Sequence, residues 1–345
     1  MSSHKKKRSS VLACVIKRIL ICLFSVFDTA LIAAMCVVYV LECGPSQKAR
    51  DLFVISMNET SAAKFVSTIF LEKATVDEIL ASNTFEDTDV VTDAELVVIS
   101  TENTAQKDES IDPDGDGIDI VPFSGSTFKG RMMIVYDPSR VFLGTSGAYG
   151  PGIWGKTLPD ICDSYDNIVG AINGGGWIDA NGHGTGGEPL GFVISEGKAL
   201  WGGSSTAWDM AGMTVDNKLI VGRMTPQSAI DNGVRDAAIY GPSLIINGEP
   251  LEALGTGSGL NPRTAIGQRA DGAMLLMTID GRQSNSLGAS LTDVRDIMLE
   301  FGAVNAYNLD GGSSSSMIYN GETINQSSSL VGLREMPTAW LVRGQ

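Results

Sequence analysis

The 345-residue chain is 43% hydrophobic and 19% charged and carries 40 glycines, a composition that supports a sizeable core joined by many turns and excludes a disordered chain. Its formal charge of −15 is unevenly spread: residues 1–50 hold 8 basic and 2 acidic side chains, the remainder 17 basic and 38 acidic. So acidic a body argues against a nucleic-acid partner, and with only two histidines in the chain, one of them His4 in the basic head, a multi-histidine zinc site is excluded.

Lys5, Lys6, Lys7 and Arg8 open the chain, followed by Lys17 and Arg18. Ile19 to Leu41 is then almost wholly apolar, interrupted by Asp28, and is long enough to cross a ~30 Å hydrocarbon core as a helix. Positive charge ahead of it predicts a cytoplasmic N-terminus, a single pass through the cell membrane and an extracytoplasmic body. A cleaved signal peptide is the competing reading. The apolar run is long for that, and Leu41-Glu42-Cys43 is a poor cleavage or lipidation site. Asp28 either meets another helix or lies near a face of the bilayer. Cys14, Cys22, Cys36 and Cys43 sit in or beside this stretch, which leaves Cys162 alone in the body without an intrachain partner.

The chain divides into a basic head (1–18), a transmembrane anchor (19–41), a helical stalk and acidic linker (42–120) and a folded domain (121–345). Ser61 to Ile79 carries a broken helical pattern through Phe65, Ile69, Ala74 and Ile79. Asp112, Asp114 and Asp116 stand at the first, third and fifth positions of a calcium-like loop with Gly117 at the sixth. Its twelfth position is Phe123, where a bidentate Glu would be needed. A solvated acidic linker with no cofactor is the first reading, and a calcium site at these three carboxylates, with a calcium-dependent adhesion or regulatory role, is the alternative.

From Val121 the pattern turns to short strands: Arg131 to Tyr136, Ile168 to Ile172, Phe192 to Ser195, Leu219 to Val221, Leu244 to Ile246 and Thr338 to Val342. Ala273 to Ile279 is an apolar strand ending at Asp280-Gly281. Ser290, with Asp293 three residues on, caps a helix whose Leu291, Val294, Ile297, Met298 and Phe301 share one face. Gly302 stops it, and Val304 to Leu309 returns as a strand ending at Asp310-Gly311-Gly312. If these two strands are parallel, both Asp-Gly turns share one edge of the sheet, where α/β folds place ligands. The fold class is α/β in the mixed α+β sense: a twisted central sheet with flanking helices, preceded by the transmembrane helix and stalk.

With histidine scarce, a Ser–His–Asp triad would have to use His183, in a Gly-rich loop that reads as a solvated turn. Carboxylates are the natural acid–base groups. Asp280 and Asp310 each follow an apolar strand, where partial desolvation would raise a carboxyl pKa and suit it to proton transfer. Two nearby carboxylates are also what glycosidic cleavage uses. Each Asp-Gly alone is equally a plain turn. Gly174 to Gly176, and Gly311 and Gly312 before Ser313, offer backbone donors for an anion. Arg263, Arg269 and Arg282 stand out in an acidic body as phosphate ligands or surface ion-pair partners.

Four strings taken in order are specific together: Ile172-Asn-Gly-Gly175, Asn261-Pro-Arg-Thr-Ala-Ile-Gly267, Ile279-Asp-Gly-Arg282 and Ala306-Tyr-Asn-Leu-Asp-Gly-Gly-Ser-Ser314. Over roughly residues 120–345 the chain resembles the phosphodiester glycosidase family. The resemblance implies hydrolysis of a sugar 1-phosphodiester of the N-acetylglucosamine type. By matching position, it places Asp310 and Asp280 as catalytic carboxylates. Asn173, Gly174, Arg263, Thr264, Arg282, Gly311, Gly312 and Ser313 become substrate-binding positions. The departures are Ser313, where the family often has a third glycine, and Gly176-Trp177, where it often has an aromatic pair. The N-terminal anchor suggests envelope glycopolymers or exopolysaccharide as targets, and the alternative is a non-catalytic module that binds envelope glycan.

Overall fold

The computed structural model describes residues 2–60, 63–99, 115–179, 184–203, 205–329 and 332–345. The fold is mixed α+β, built from three antiparallel sheets rather than one central sheet, with few helices.

The first sheet orders its strands β1 (Ile118–Ser124), β2 (Lys129–Val135), β13 (Met274–Ile279), β12 (Arg263–Arg269), β14 (Ala303–Leu309), β10 (Ser243–Ile246) and β11 (Glu249–Pro250). The second runs β16 (Glu322–Thr323), β15 (Met317–Tyr319), β4 (Ile168–Asn173), β17 (Thr338–Arg343) and β3 (Val141–Thr145). The third runs β6 (Lys198–Trp201), β5 (Val193–Ser195), β9 (Val234–Ala238), β7 (Trp208–Thr214) and β8 (Leu219–Met224). Strand alternation gives the first sheet two apolar faces. Met133, Ile266, Leu276, Tyr307 and Leu309 meet Ile172, Val221 and Trp340 of the other two sheets. Met132, Ala265, Leu275 and Met277 face the opposite way, onto α6 (Leu291–Glu300) through Val294, Ile297 and Met298. The short helices α4 (Leu158–Cys162) and α5 (Pro226–Asp231) cover the second and third sheets.

The Ser290–Asp293 capping box forms as expected, with Ser290 Oγ accepting from Asp293 N and Asp293 accepting from Ser290 N. Strands β13 and β14 do run parallel. They are not neighbours: β12 lies between them, antiparallel to both. Their two Asp-Gly turns therefore leave the sheet at the same edge, with β12 starting there as well.

At the N-terminus, α1 (Ser2–Cys43) includes an apolar span, Cys14–Cys43, long enough to cross a membrane, whose large side chains are exposed. The segment that follows, read in the sequence as a helical stalk and acidic linker, is helical in its first part and is tied to the domain further on. Helices α2 (Gln47–Asn58) and α3 (Lys73–Ala81) form a small core of Val54, Ile55, Val76 and Ile79. The chain beyond them is pinned to the domain: Glu86 N donates to Glu252 O, Thr92 N to Val221 O and Val98 N to Ala270 O. Asp112 and Asp114 lie outside the described residues. The Asp116 carboxylate is engaged by the fold, accepting from Ile118 N and Tyr319 OH.

Candidate active site

The shared edge of β12 and β14 opens into a cavity of about 540 Å³ lined by Asp310, Gly311, Gly312, Ser313, Arg263 and Arg282. Six of the ten positions singled out in the sequence thus meet in one place. Three of the others support it from behind. Asn173, at the end of β4, is buried; its Nδ2 donates to Asp310 O at 2.6 Å, and its Oδ1 accepts from Thr264 Oγ1 at 2.8 Å and Ser316 N at 3.1 Å. Gly174 O accepts from Asp310 N at 3.3 Å. Asn173, Gly174 and Thr264 therefore act on Asp310 through its backbone rather than on the cavity.

Asp280 does not belong to this group, so the expected carboxylate pair is not formed. It lines a separate cleft with Lys129, Arg131 and Asn285, and its Oδ1 accepts from Gln326 N at 2.9 Å. The reason is register. Thr264 pairs with Leu309, and Arg263 pairs with Ile279. Asp310 is thereby level with Ile279, and Asp280 lies one residue further on. A one-residue offset turns a side chain to the opposite face of a sheet.

Asp310 sits half-buried on the cavity floor, where burial pushes its carboxyl up to about 7; hydrogen bonds from the Ser314 hydroxyl and Gly311 N, and the charge of Arg334, hold it from rising further. Gly312 adopts φ +62°, and both Nη atoms of Arg282 lie within 3.4 Å of where a Cβ on it would stand. The turn thus needs glycine for its backbone and for its closeness to the guanidinium.

The two arginines are held differently. Arg263 is buried and heavily bonded: Nε donates to Ala289 O, and Nη2 to Glu59 Oε2, Ser258 Oγ and Gly259 O. Arg282 donates from Nε and Nη2 to one atom, Asn261 Oδ1. Its φ of +58° is a left-handed conformation unusual for a side-chain-bearing residue, and such strain is typical of functional sites. Burial, then the charge of Arg263, lowers its pKa, yet a guanidinium keeps its proton.

Several lining residues escaped the sequence reading. Glu59 comes from the C-terminus of α2, Tyr240 from the connection after β9, and Asp179 and Arg334 from two further loops. Arg334 pairs with Asp179 at 2.9 Å and lies over the Trp177 ring at 5.5 Å. Trp177 is one half of the Gly176-Trp177 departure. At the other half, the Tyr240 ring lies 2.5 Å from where a Cβ on residue 176 would stand, so glycine there makes room for the tyrosine. Burial, then the nearby Asp310, raises the Tyr240 hydroxyl pKa, so it remains a donor. Among the described lining residues, Asn308 Oδ1 and Trp177 Nε1 are buried without a protein partner. His183 lies outside the described residues. Among the described residues, no group of three or more His, Cys, Asp or Glu is placed to hold a metal.

The charges nearly balance in pairs: Arg334 with Asp179 and Arg263 with Glu59. Among the described residues that leaves Arg282 without a carboxylate in an ion pair, facing the same cavity as Asp310. The arrangement suits an anionic substrate and a proton transfer beside it.

Residues 166–343 match the model of a protein family described as phosphodiester glycosidase. The SPbeta prophage-derived uncharacterized protein YomE of Bacillus subtilis is 30% identical over 207 residues, which are 56% of this chain and 29% of that protein. The N-acetylglucosamine-1-phosphodiester alpha-N-acetylglucosaminidase of Mus musculus is 26% identical over 220 residues, 58% of this chain and 41% of that one. The chain thus spans well under half the length of these curated relatives. Among solved structures, the catalytic domain of the zebrafish enzyme of the same name, auto-inhibited by its pro-peptide, superposes with a TM-score of 0.54 at 22% identity. It covers 66% of this chain and 82% of that one, a likeness of fold.

Proposed function

The chain belongs to the phosphodiester glycosidase family, and on that premise we propose that it hydrolyses sugar 1-phosphodiesters of the N-acetylglucosamine type at the Asp310 cavity. The observation that carries this reading is Asp310 itself: a carboxyl pushed up to about 7 by burial, bonded by the Ser314 hydroxyl and the Gly311 amide, in one cavity with Arg282.

In the reaction, water adds to the anomeric carbon, and the bond from that carbon to the phosphate oxygen breaks. The electron pair leaves with the phosphate. Because a phosphate is a good leaving group, protonating it is the lesser task. Asp310 acts as general base, taking the proton from the attacking water, and a base with a pKa close to the working pH is well matched to that role. Arg282 holds the phosphate, with buried Arg263 adding charge behind it. Gly311 and Gly312 shape the turn beneath the substrate, with their amides engaged by the Asp310 carboxyl and Pro262 O, and Ser313 offers its hydroxyl. Trp177 and Tyr240 form the wall against which the sugar packs. The apolar N-terminal helix anchors the chain in a membrane with the domain outside, and this location points to envelope glycopolymers or exopolysaccharide as the substrates.

The test is turnover by the full chain in detergent micelles, with a UDP-linked or chromogenic α-N-acetylglucosamine 1-phosphodiester. Free sugar released by the parent, and reduced by 10²-fold or more in Asp310→Asn, supports the reading. Equal behaviour of parent and variant refutes the role of Asp310. A folded parent that binds this glycan without cleaving it would instead favour a glycan-binding module.

A further inference from the structure

We propose that Glu59, carried by the arm that joins the membrane helix to the domain, is a positioning residue of this active site; the proposal rests on the phosphodiester reading of the cavity. Glu59 lies outside the 166–343 stretch that matches the family, yet its carboxylate lines the cavity. Three donors converge on it: Asn261 Nδ2 at 2.5 Å and Arg263 Nη2 at 3.0 Å on Oε2, and Gly259 N at 3.2 Å on Oε1.

An ionised carboxylate only accepts hydrogen bonds. Asn261 must therefore turn its Nδ2 toward Glu59, and its Oδ1 then faces the other way. That oxygen is the atom on which Arg282 rests, through Nη2 at 2.8 Å and Nε at 3.2 Å. Glu59 thus fixes an amide orientation, and the amide fixes the guanidinium that meets the phosphate. Glu59 has a second effect through charge. The Arg263 side chain is only 7% exposed, and Glu59 is its ion-pair partner. Without that partner, Arg263 would stand as an uncompensated buried cation next to Arg282, and the two would repel. The arm is itself locked in place, since Ser56 Oγ, one helical turn earlier, accepts from Leu260 N at 2.7 Å. The membrane-proximal arm is by this account part of the catalytic unit and sets its grip on the phosphate.

The experiment compares the full chain, Glu59→Gln and Glu59→Asp in detergent micelles. Turnover of the UDP-linked sugar is read alongside calorimetric binding of N-acetylglucosamine 1-phosphate. A glutamine can present its amide either way round and carries no charge. Glu59→Gln is therefore expected to raise KM and the dissociation constant about tenfold while kcat changes less than threefold. Glu59→Asp, which keeps the charge and the pure-acceptor character, should recover part of the loss and guards against a Gln variant that fails to fold. Unchanged KM and binding in both variants overturn the proposal. So does an increase in kcat/KM on removing the charge, which would mean that Glu59 blocks the phosphate place instead of shaping it. A parent that binds the sugar phosphate in a Glu59-dependent way without turning over any diester would retain the proposal and sink the reaction. A parent that turns over normally, with Glu59 variants to match, would do the reverse. A parent that neither binds nor turns over sinks both.

Discussion

The catalytic use proposed for Asp310 comes with a cost to the fold, and the two can be separated by pH. Its carboxyl titrates near 7 in the folded chain, against an ordinary value of 3.8. Between those values the unfolded carboxyl has already ionised while the folded one keeps its proton, so the folded state binds more protons and stability falls as pH rises through that window. Above 7 the full penalty is present. Asp310→Asn cannot ionise. It should therefore melt above the parent at pH 8, by the equivalent of about 2 kcal/mol once partial solvent exposure is allowed for, and level with it below pH 4. Activity should run the other way, with kcat/KM climbing as pH rises through about 7 because the ionised form is the base. Thermal melts and initial rates over pH 4–9 check both; a variant no more stable than the parent at pH 8 would contradict the burial argument. The same residue shows what the sequence could disclose. Asp310 was legible as a carboxylate at the end of an apolar strand within a specific string. Asp280 carried the same local signature and was misplaced, because which face a strand-end residue occupies depends on pairing register, and register is not written in either strand alone. Glu59, Tyr240, Asp179 and Arg334 carried no local signature. They reach the cavity from loops and a helix far apart in the chain, and only the fold brings them together.

At the level of elements, α6 and the two strands around it were readable because each has a clean period and an explicit stop: Ser290 and Gly302 bound the helix, and Asp-Gly ends both strands. Strand β12, between them, was seen as a motif and not as a strand. Its interior includes Thr264, Gly267 and Gln268, all of which break an apolar run. Yet Gln268 is fully buried with its amide satisfied, donating to Asn217 O and Gly272 O and accepting from Leu219 N. A central strand can hold such residues where neighbouring strands supply partners, and that information is tertiary. The turn after β14 gives this scale its prediction. Gly312→Ala forces a Cβ into the left-handed region, at about 1–2 kcal/mol, and brings it within 3.4 Å of the Arg282 guanidinium. The guanidinium must then shift from the place where it is proposed to meet the phosphate. The expected result is a moderately lower melting temperature together with a clear rise in KM for the diester. A rise in neither, measured by differential scanning fluorimetry and steady-state kinetics, would show that the turn tolerates both changes.

For the whole molecule, the sequence divided the chain by composition into basic head, anchor, stalk and domain, and a helix long and apolar enough to cross a membrane stands at the anchor's place. The third segment keeps helices where a helical stalk was expected, and it is also tied to the domain. The arm has only a small core of its own and is held to the domain by main-chain bonds and by side chains such as Phe85, Val91 and Asp87, whose partners lie far away in the sequence. The main-chain bonds reach two of the sheets: Glu86 to β11's neighbour Glu252 and Val98 to Ala270 just past β12 in the first, and Thr92 to Val221 in β8 of the third. Asn83 adds a further tie, accepting from both the amide and the hydroxyl of Thr256. A free stalk would exchange its amide hydrogens within seconds to minutes, whereas amides in such bonds open only when the arm lifts or the domain unfolds. Hydrogen exchange on the full chain in micelles should accordingly show slow amides at Glu86, Thr92 and Val98, with protection approaching that of Ile266 in central β12. Rapid exchange at all three, with β12 still protected, would mean that the arm lifts on its own. Glu59 would then be carried away from Arg263 for part of the time, and the arginine pair proposed to bind phosphate would be assembled by arm docking rather than held ready.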